Sequence, residues 1–302
     1  MGIDLEKIKK VHFVGVGGIG VSALARFMLH KGKAVSGSDV SSSRVTEELE
    51  GLGIEIFIGH DEKNIKDNTN LVVYTIAASG DNPEILKAKR LGVPSISYPE
   101  ALGEISKSKY TIAVSGTHGK TTTTAMIAEI LTDAGLNPTV IVGSLLKKAG
   151  GNFKAGGGKY LVVEACEYRR SFLNLKPDIL VITNIDSDHL DYYKDIDDIK
   201  SAFAELTGKM ESSGRIVCNA RDENVSEVVS GSSARVIDYN AVDTKINLRV
   251  PGLHNVENAK AALAVSGFLG VKAEKSLESL SRFEGTWRRF EYRGETFSGA
   301  IV

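Results

Sequence analysis

The run Tyr110-Thr111-Ile112-Ala113-Val114-Ser115 leads directly into Gly116-Thr117-His118-Gly119-Lys120-Thr121, and the chain goes on through Thr122-Thr123-Thr124 to Ala125-Met126-Ile127-Ala128. The first piece is an apolar run of strand length, the second a glycine-bearing loop and the third the start of an apolar helix. In that order they form a cradle for an anion, because loop N–H groups and the positive end of the helix face one place. The pattern gives Lys120 the β- and γ-phosphates of a nucleotide and gives the Thr121 hydroxyl a Mg²⁺ ion. Val114 stands where the general phosphate-loop pattern has its first glycine. A plain loop-to-helix turn ending in a surface lysine is the competing reading of the same string.

Toward the N-terminus, Val11-His12-Phe13-Val14 reads as a short buried strand, followed at once by Gly15-Val16-Gly17-Gly18-Ile19-Gly20. Val21 to Leu29 carry apolar residues at helical spacing, Gly32 stops that helix, and a second strand runs from Ala34 to Ser38 and ends at Asp39. Glycines 15, 17 and 20 satisfy G-x-G-x-x-G, and an acid about 20 residues on is where such folds hold a ribose hydroxyl. The motif places a nucleotide diphosphate on a helix N-terminus without saying which nucleotide. Glycines needed only for close strand–helix packing would look the same. Strand-like segments at 54–58, 71–76 and 94–97 alternate with helix-like ones at 44–52, 82–90 and 99–105, which predicts a doubly wound parallel sheet. His60 follows the third strand, where loops line a ligand crevice, although a lone loop histidine is usually only solvated.

Polar Ser106-Lys107-Ser108-Lys109 reads as a join, and a second strand–helix alternation begins at Tyr110. The expected fold is therefore α/β, an N-terminal Rossmann-like parallel sheet domain (1–107) followed by a P-loop α/β ATPase domain (108–296). The glycine-rich segment 143–158 reads as a flexible surface loop. Tyr160 to Val163 deliver Glu164 at a strand end, and Asp178 to Thr183 deliver Asn184-Ile185-Asp186-Ser187-Asp188-His189 at another. In a parallel sheet those ends lie beside the phosphate loop, where a carboxylate completes a Mg²⁺ shell or merely caps a helix. Cys166 is expected to be a small buried hydrophobe near that rim. Pro251 to Asn258 open a helix expected over Ala259–Phe268, and the His and Asn side chains there serve either as caps or as partners for an adenine edge.

The 302 residues suffice for two cores. Lys+Arg 37 against Asp+Glu 38 argues against general nucleic-acid affinity and a polybasic membrane surface, so anionic ligands must be held by local sites. Two cysteines, Cys166 and Cys218, are too few for a disulfide framework, and no run approaches the ~20 apolar residues of a membrane span. The expected location is cytoplasmic.

Together these segments resemble the Mur ligases, the ATP-dependent ligases that build the peptide stem of the bacterial cell wall. The resemblance rests on Gly15 to Gly20 with Ser22, Ser36 to Asp39, Gly116 to Thr123, and Glu164-Ala165-Cys166-Glu167-Tyr168. It extends to Thr183-Asn184-Ile185 with Asp188-His189, Pro251-Gly252 with His254, Asn255 and Asn258, and Arg288-Arg289-Phe290. Order and spacing are most similar to the family member that joins L-alanine to the lactoyl carboxylate of UDP-N-acetylmuramate. The resemblance implies that Gly17, Gly18, Gly20, Ser22, Asp39 and His60 bind the UDP-sugar, with His118 facing its muramoyl part. It implies that Gly116, Thr117, His118, Gly119, Lys120, Thr121 and Thr122 bind the ATP phosphates, and His254, Asn255 and Asn258 the adenine. Thr121, Glu164 and His189 are the implied metal ligands, and Lys120, Glu164, His189 and Arg289 the implied catalytic set.

The family also has a C-terminal α/β domain. Here 297–302 reads as the strand start leading into it, so the expectation is a truncated chain without complete turnover of its own. Competing readings are a sister ligase that attaches a recycled peptide to the same UDP-sugar, and a non-catalytic UDP-sugar- and ATP-binding remnant. A nicotinamide dehydrogenase would leave the second phosphate loop without a purpose.

Overall fold

The computed structural model describes residues 3–146 and 151–286. The chain divides into two compact units, Met1–Ser108 and Lys109–Val302.

The first unit runs β1 (Lys10–Val14), α1 (Ile19–His30), β2 (Ala34–Asp39), α2 (Arg44–Gly51), β3 (Glu55–Ile58), β4 (Leu71–Tyr74), α3 (Pro83–Leu91), β5 (Ser95–Ser97) and α4 (Tyr98–Lys107). Its sheet has the order β3-β2-β1-β4-β5, with every neighbouring pair parallel. Central strands of such a sheet are covered on both faces, which is why Val11, Phe13, Val14, Leu71, Val72 and Val73 are all fully buried. Helix starts follow from side chains that accept the first N–H groups: Asn82 for α3, and capping boxes at Ser43 for α2 and Ser97 for α4. The chain leaves β1 to one side for β2 and β3 and to the other for β4 and β5. In folds of this kind such a reversal is where a ligand crevice opens, at the carboxyl ends of the strands.

The second unit runs β6 (Tyr110–Ser115), α5 (Lys120–Asp133), β7 (Thr139–Leu146), β8 (Gly151–Lys154), β9 (Tyr160–Glu164), β10 (Ile179–Ile182), α6 (Ile196–Gly208), β11 (Arg215–Cys218), α7 (Glu223–Val229), β12 (Arg235–Asp238), α8 (Leu253–Phe268) and α9 (Ala273–Ser281). Its sheet order is β12-β11-β10-β6-β9-β7-β8, and β6 therefore lies between β9 and β10. Val114 pairs with Glu164 on one side and Ser115 with Ile182 on the other, so three strand ends converge where the phosphate loop begins. Met126, Ile127 and Ile130 of α5 share one buried cluster with Ala259, Ala262 and Val265 of α8 and Leu280 of α9, which fixes the loop-bearing helix.

Within the segment 143–158, the described residues 143–146 and 151–158 are not the expected flexible loop. β7 continues to Leu146, and β8 pairs with it in antiparallel register, with Ile141 opposite Phe153. Two of its glycines answer to close backbone packing: a Cβ on Gly156 would sit 2.2 Å from the Pro138 carbonyl, and one on Gly158 2.2 Å from the Leu136 oxygen. Gly156→Ala is therefore expected to cost about 2 kcal/mol by overpacking, measured as a lower denaturant midpoint at unchanged slope. A substitution without effect would mean that the segment yields as a loop does.

Helix α8 begins at Leu253, six residues before the expected Ala259. Its first turns bury Asn255 and Asn258, and polar residues in core positions hide the apolar period. Helix α4 likewise absorbs Ser106 and Lys107 from the expected join, the Ser106 hydroxyl donating to the Gly103 carbonyl. Cys218 is fully buried, and burial pushes its thiol up to about 12, whereas Cys166 is exposed rather than buried as expected. Among the described residues no helix is long and apolar enough to cross a membrane.

Candidate active site

Gly116 and Gly119 carry φ of +128° and +85°, values open to glycine and strained for other residues. They turn the chain from β6 into α5, with Gly119 as the N-cap. The end of β10 holds the loop from the side. Thr117 N–H donates to the Asn184 carbonyl (3.0 Å), His118 N–H to Asn184 Oδ1 (2.8 Å), and the Thr183 hydroxyl to the His118 carbonyl (2.5 Å). The Thr117 hydroxyl bridges to Asp186, donating to its carbonyl and accepting from its N–H. The expected neighbours of the loop on this strand are thus present, and they act by shaping it.

Lys120 Nζ lies inside the loop, donating to the Gly116 and Thr117 carbonyls (2.6 and 3.0 Å) and pairing with Glu167 Oε1 at 2.9 Å. Glu167 is 2% exposed, and its Oε2 is buried without a hydrogen-bond partner. Thr121 Oγ1 donates to the Glu164 carboxylate at 3.0 Å, and Gly143 N–H donates to the same group at 2.8 Å. Thr121 and Thr122 both stand in the first turn of α5, nearly buried. His189 Nε2 lies 3.5 Å from Glu167 Oε1 and 4.0 Å from Asp188 Oδ2. Its backbone is held at φ +53°, with the N–H donating to Asp188 Oδ1 and the carbonyl accepting from Tyr192 and Tyr193.

The expected trio of Thr121, Glu164 and His189 therefore divides into two neighbouring groups. Thr121 touches Glu164, while His189 joins Glu167 and Asp188, whose ligand atoms lie within 4.8 Å of one another. Lys120 links the groups, being next to Thr121 in sequence and paired with Glu167. Glu167 stands in the 164–168 segment that carries the family resemblance, with no role implied for it. Its signal was the second acid three residues past a strand-end glutamate, a spacing equally usual on a solvated turn.

Beyond the loop lies a cavity of 320 Å³ lined by His118, Gly119, Thr183, Asn184, Tyr239, His254, Glu257, Asn258 and Ala261. His254 and Asn258 are where an adenine partner was expected, and His118 lies at this cavity too. Asn255 is not among the lining residues. It is 2% exposed, its amide donating to the Pro251 carbonyl and its oxygen accepting from Asn258, so it orders the start of α8. Asn258 Oδ1 also accepts from Thr123 Oγ1, which ties this helix to α5. Tyr239 and Glu257 were not foreseen: no motif surrounds Tyr239, and Glu257 stands beside Asn258 in the 251–258 segment as an acid with no role of its own. Burial raises the Tyr239 phenol, which stays protonated and donates to the Thr183 carbonyl. Arg289 lies outside the described residues.

In the first unit, Gly15 (φ +76°) and Val16 both donate N–H groups to the Ser38 carbonyl, and Gly17 N–H donates to Asp39 Oδ2 at 2.8 Å. A Cβ on Gly17 would meet that oxygen at 2.8 Å, and one on Gly20 the Tyr98 ring at 2.6 Å. The glycines at 17, 18 and 20 thus surround the start of α1, with Asp39 beside them. Ser22 departs from its expected role: it is fully buried and its hydroxyl donates to the Ile19 carbonyl, so it braces the helix instead of facing the crevice. His60 reaches inward to Ser38 and Glu84 and is partly exposed.

A parallel sheet with a glycine loop and, after it in the chain, a mostly parallel sheet with a lysine-bearing phosphate loop make a two-domain nucleotide-binding α/β protein. The Mur ligase catalytic-domain pattern matches residues 10–110 and the Mur ligase middle-domain pattern residues 114–243. The chain belongs to the Mur ligase family. A UDP-N-acetylmuramate–L-alanine ligase of Clostridium kluyveri is 44% identical, the match covering 100% of this chain and 72% of that one. Its counterpart in Acetivibrio thermocellus is 42% identical over 97% of this chain and 68% of its own length. The crystal structure of the UDP-N-acetylmuramate–alanine ligase of Thermotoga maritima superposes with a TM-score of 0.82 at 32% identity, over 97% of this chain and 73% of that one. A UDP-N-acetylmuramate:L-alanyl-γ-D-glutamyl-meso-diaminopimelate ligase from Neisseria meningitides superposes with a TM-score of 0.84 at 26% identity, over 93% of this chain and 100% of that one.

Proposed function

We propose that the chain serves the ATP-dependent ligation of L-alanine to the lactoyl carboxylate of UDP-N-acetylmuramate, a step of peptidoglycan precursor synthesis, in the cytoplasm. One observation carries the reading: Lys120, Thr121–Glu164 and Glu167–His189 meet at three adjacent strand ends beside a cavity of nucleoside size. Lys120 leaves Glu167 for the β- and γ-phosphates, and the N–H groups of the loop hold the phosphate oxygens. His254, Asn258 and Tyr239 border the space for adenine. Gly17, Gly18, Gly20, Asp39 and His60 belong to the site for the UDP-sugar.

The donor set fits Mg²⁺. Thr121 and Glu164 offer hard oxygens, Glu167 has a buried oxygen with no partner, and His189 and Asp188 complete the rim. When bound, Mg²⁺ neutralises charge on the phosphates. The lactoyl carboxylate oxygen attacks the γ-phosphorus, and ADP leaves with the electrons of the broken P–O bond. The alanine amine then attacks the acyl carbon, loses a proton, and phosphate departs. Throughout, Lys120 stabilises the negative charge that gathers on the transferred group. Arg289 is assigned the same work by the family resemblance alone.

The test is phosphate release from ATP in the presence of UDP-N-acetylmuramate, with L-alanine and the tripeptide L-alanyl-γ-D-glutamyl-meso-diaminopimelate supplied in turn. With the family's C-terminal domain supplied in cis or in trans, release is expected with L-alanine and is expected to stop when EDTA removes the divalent cation. Release with the tripeptide alone would transfer the chain to the peptide-joining reaction of the Neisseria relative. Binding of both nucleotides without release under either condition would favour a binding module.

A further inference from the structure

In the first unit a buried polar cluster gathers around Glu84, a residue outside every motif of the sequence. Glu84, the second residue of α3, is fully buried, and side chains from four other segments meet its carboxylate. Oε2 accepts from the Ser38 hydroxyl of β2 (2.7 Å) and faces His60 Nδ1 (2.9 Å), beyond the end of β3. Oε1 accepts from Asn64 Nδ2 (2.6 Å), while His12 Nε2 of β1 stands 3.5 Å away, too far for a full hydrogen bond. His12 Nδ1 is engaged with the Ser36 hydroxyl at 2.9 Å. Desolvation pushes the Glu84 carboxyl up, yet His12, Ser38 and Asn64 together outweigh it and hold the group below its ordinary range. A buried carboxylate with this many donors is costly to assemble and serves something beyond packing.

The proton positions follow from the distances. An unprotonated His60 Nδ1 would oppose its lone pair to that of Glu84 Oε2 at 2.9 Å, so Nδ1 carries the hydrogen and donates it. In the neutral ring the other nitrogen, Nε2, is then the acceptor. The ring is 22% exposed and its Nδ1 edge is occupied within, which leaves Nε2 for a ligand. The crevice is close at hand: Gly59 N–H donates to the Asp39 carbonyl, and Asp39 in turn holds the glycine loop at Gly17.

We propose that Glu84 is a positioning residue for UDP-sugar binding: it fixes the ring and tautomer of His60 so that Nε2 accepts a hydrogen bond from a hydroxyl or imide N–H of the nucleotide. Ser38 and Asn64 hold the carboxylate in place for that task, as partners of a ligating histidine do at metal sites. The proposal rests on the reading that the first unit binds UDP-N-acetylmuramate and that His60 belongs to that site.

The experiment is a double-mutant cycle read by calorimetric titration of the full chain with UDP-N-acetylmuramate, using Glu84→Gln, His60→Ala and the pair. Glutamine keeps the shape of Glu84, but one of its two ends becomes a donor, which breaks the pattern around Ser38, Asn64 and His60. Each single variant is expected to weaken binding about tenfold, and the pair no more than about twofold beyond His60→Ala alone, because Glu84 acts through His60. A purely structural Glu84 would give losses that multiply in the pair, and that result overturns the proposal. So does a Glu84→Gln variant that binds like the wild type while His60→Ala is impaired. If His60→Ala binds normally, His60 is outside the site and the proposal fails while the UDP-sugar reading stands. If the wild type does not bind UDP-N-acetylmuramate, the functional reading falls first. Should Glu84→Gln not fold, ¹⁵N chemical shifts of the His60 ring in the wild-type protein decide: protonation at Nδ1 is expected, and protonation at Nε2 overturns the assignment.

Discussion

Lys120→Ala is expected to abolish MgATP binding and to lower phosphate release by at least about 10²–10³-fold, while UDP-N-acetylmuramate affinity stays within about twofold of wild type. The side chain is the one cation inside the loop among the described residues, and no neighbour stands ready to replace it. The substitution also has a structural cost. Glu167 is 2% exposed and would lose the partner 2.9 Å away that compensates its charge. Breaking a buried pair by removing one member costs about 3–5 kcal/mol, which for a unit of this size lowers the melting temperature by about 6–20 °C. The two effects separate in Lys120→Ala/Glu167→Gln. Stability is expected to return for the most part because the orphaned charge is gone, and ATP binding is expected to stay lost. The measurements are differential scanning calorimetry and titration with each ligand. A folded Lys120→Ala protein that loses both ligands equally would show that the two nucleotide sites are wrongly divided between the units.

The pairing of Lys120 with Glu167 also shows why the site was only partly legible in the sequence. The loop itself was readable because backbone conformation dictates its glycines, and the strands beside it because buried parallel strands are continuous apolar runs. Glu164 was readable as the residue at which an apolar run becomes acidic. Glu167 was not, because its importance lies in being buried at 2% exposure, and burial of a polar residue leaves no mark on neighbouring letters. The same reason conceals Glu84, which reads as an ordinary first-turn acid of α3 and is in fact fully buried among two histidines, a serine and an asparagine. The glycines between 143 and 158 misled in the opposite direction. Their small size was read as freedom, whereas at Gly156 and Gly158 it admits another stretch of backbone. Asn255 and Ser22 stand at motif positions, but the Asn255 amide donates to the Pro251 carbonyl just before α8 and the Ser22 hydroxyl to the Ile19 carbonyl within α1.

Gly116→Ala is the second substitution with a large expected effect, and it isolates the shape of the loop from its charge. At φ +128° an added Cβ would stand 2.1 Å from Thr183 Oγ1, 2.8 Å from the Asn184 carbonyl oxygen and 3.0 Å from the Asn184 nitrogen. Those atoms are not loose ends. Thr183 Oγ1 donates to the His118 carbonyl and Asn184 accepts N–H groups from Thr117 and His118, so pushing them away opens the clamp that shapes the loop. The backbone strain costs about 1–2 kcal/mol and the overpacking about 1–3 kcal/mol more. Much of this strain falls on the conformation that holds the phosphates, and a loss of about a hundredfold in MgATP affinity is expected, equivalent to about 2.7 kcal/mol. Gly135→Ala is the matched control. It too has a positive φ, +79°, but nothing lies within 4 Å of its added Cβ, so a loss of about 1 kcal/mol in stability is expected with ATP affinity unchanged. If both variants lowered ATP affinity alike, general destabilisation would account for the loss. If neither did, β10 would not be holding the loop in the form that binds the nucleotide.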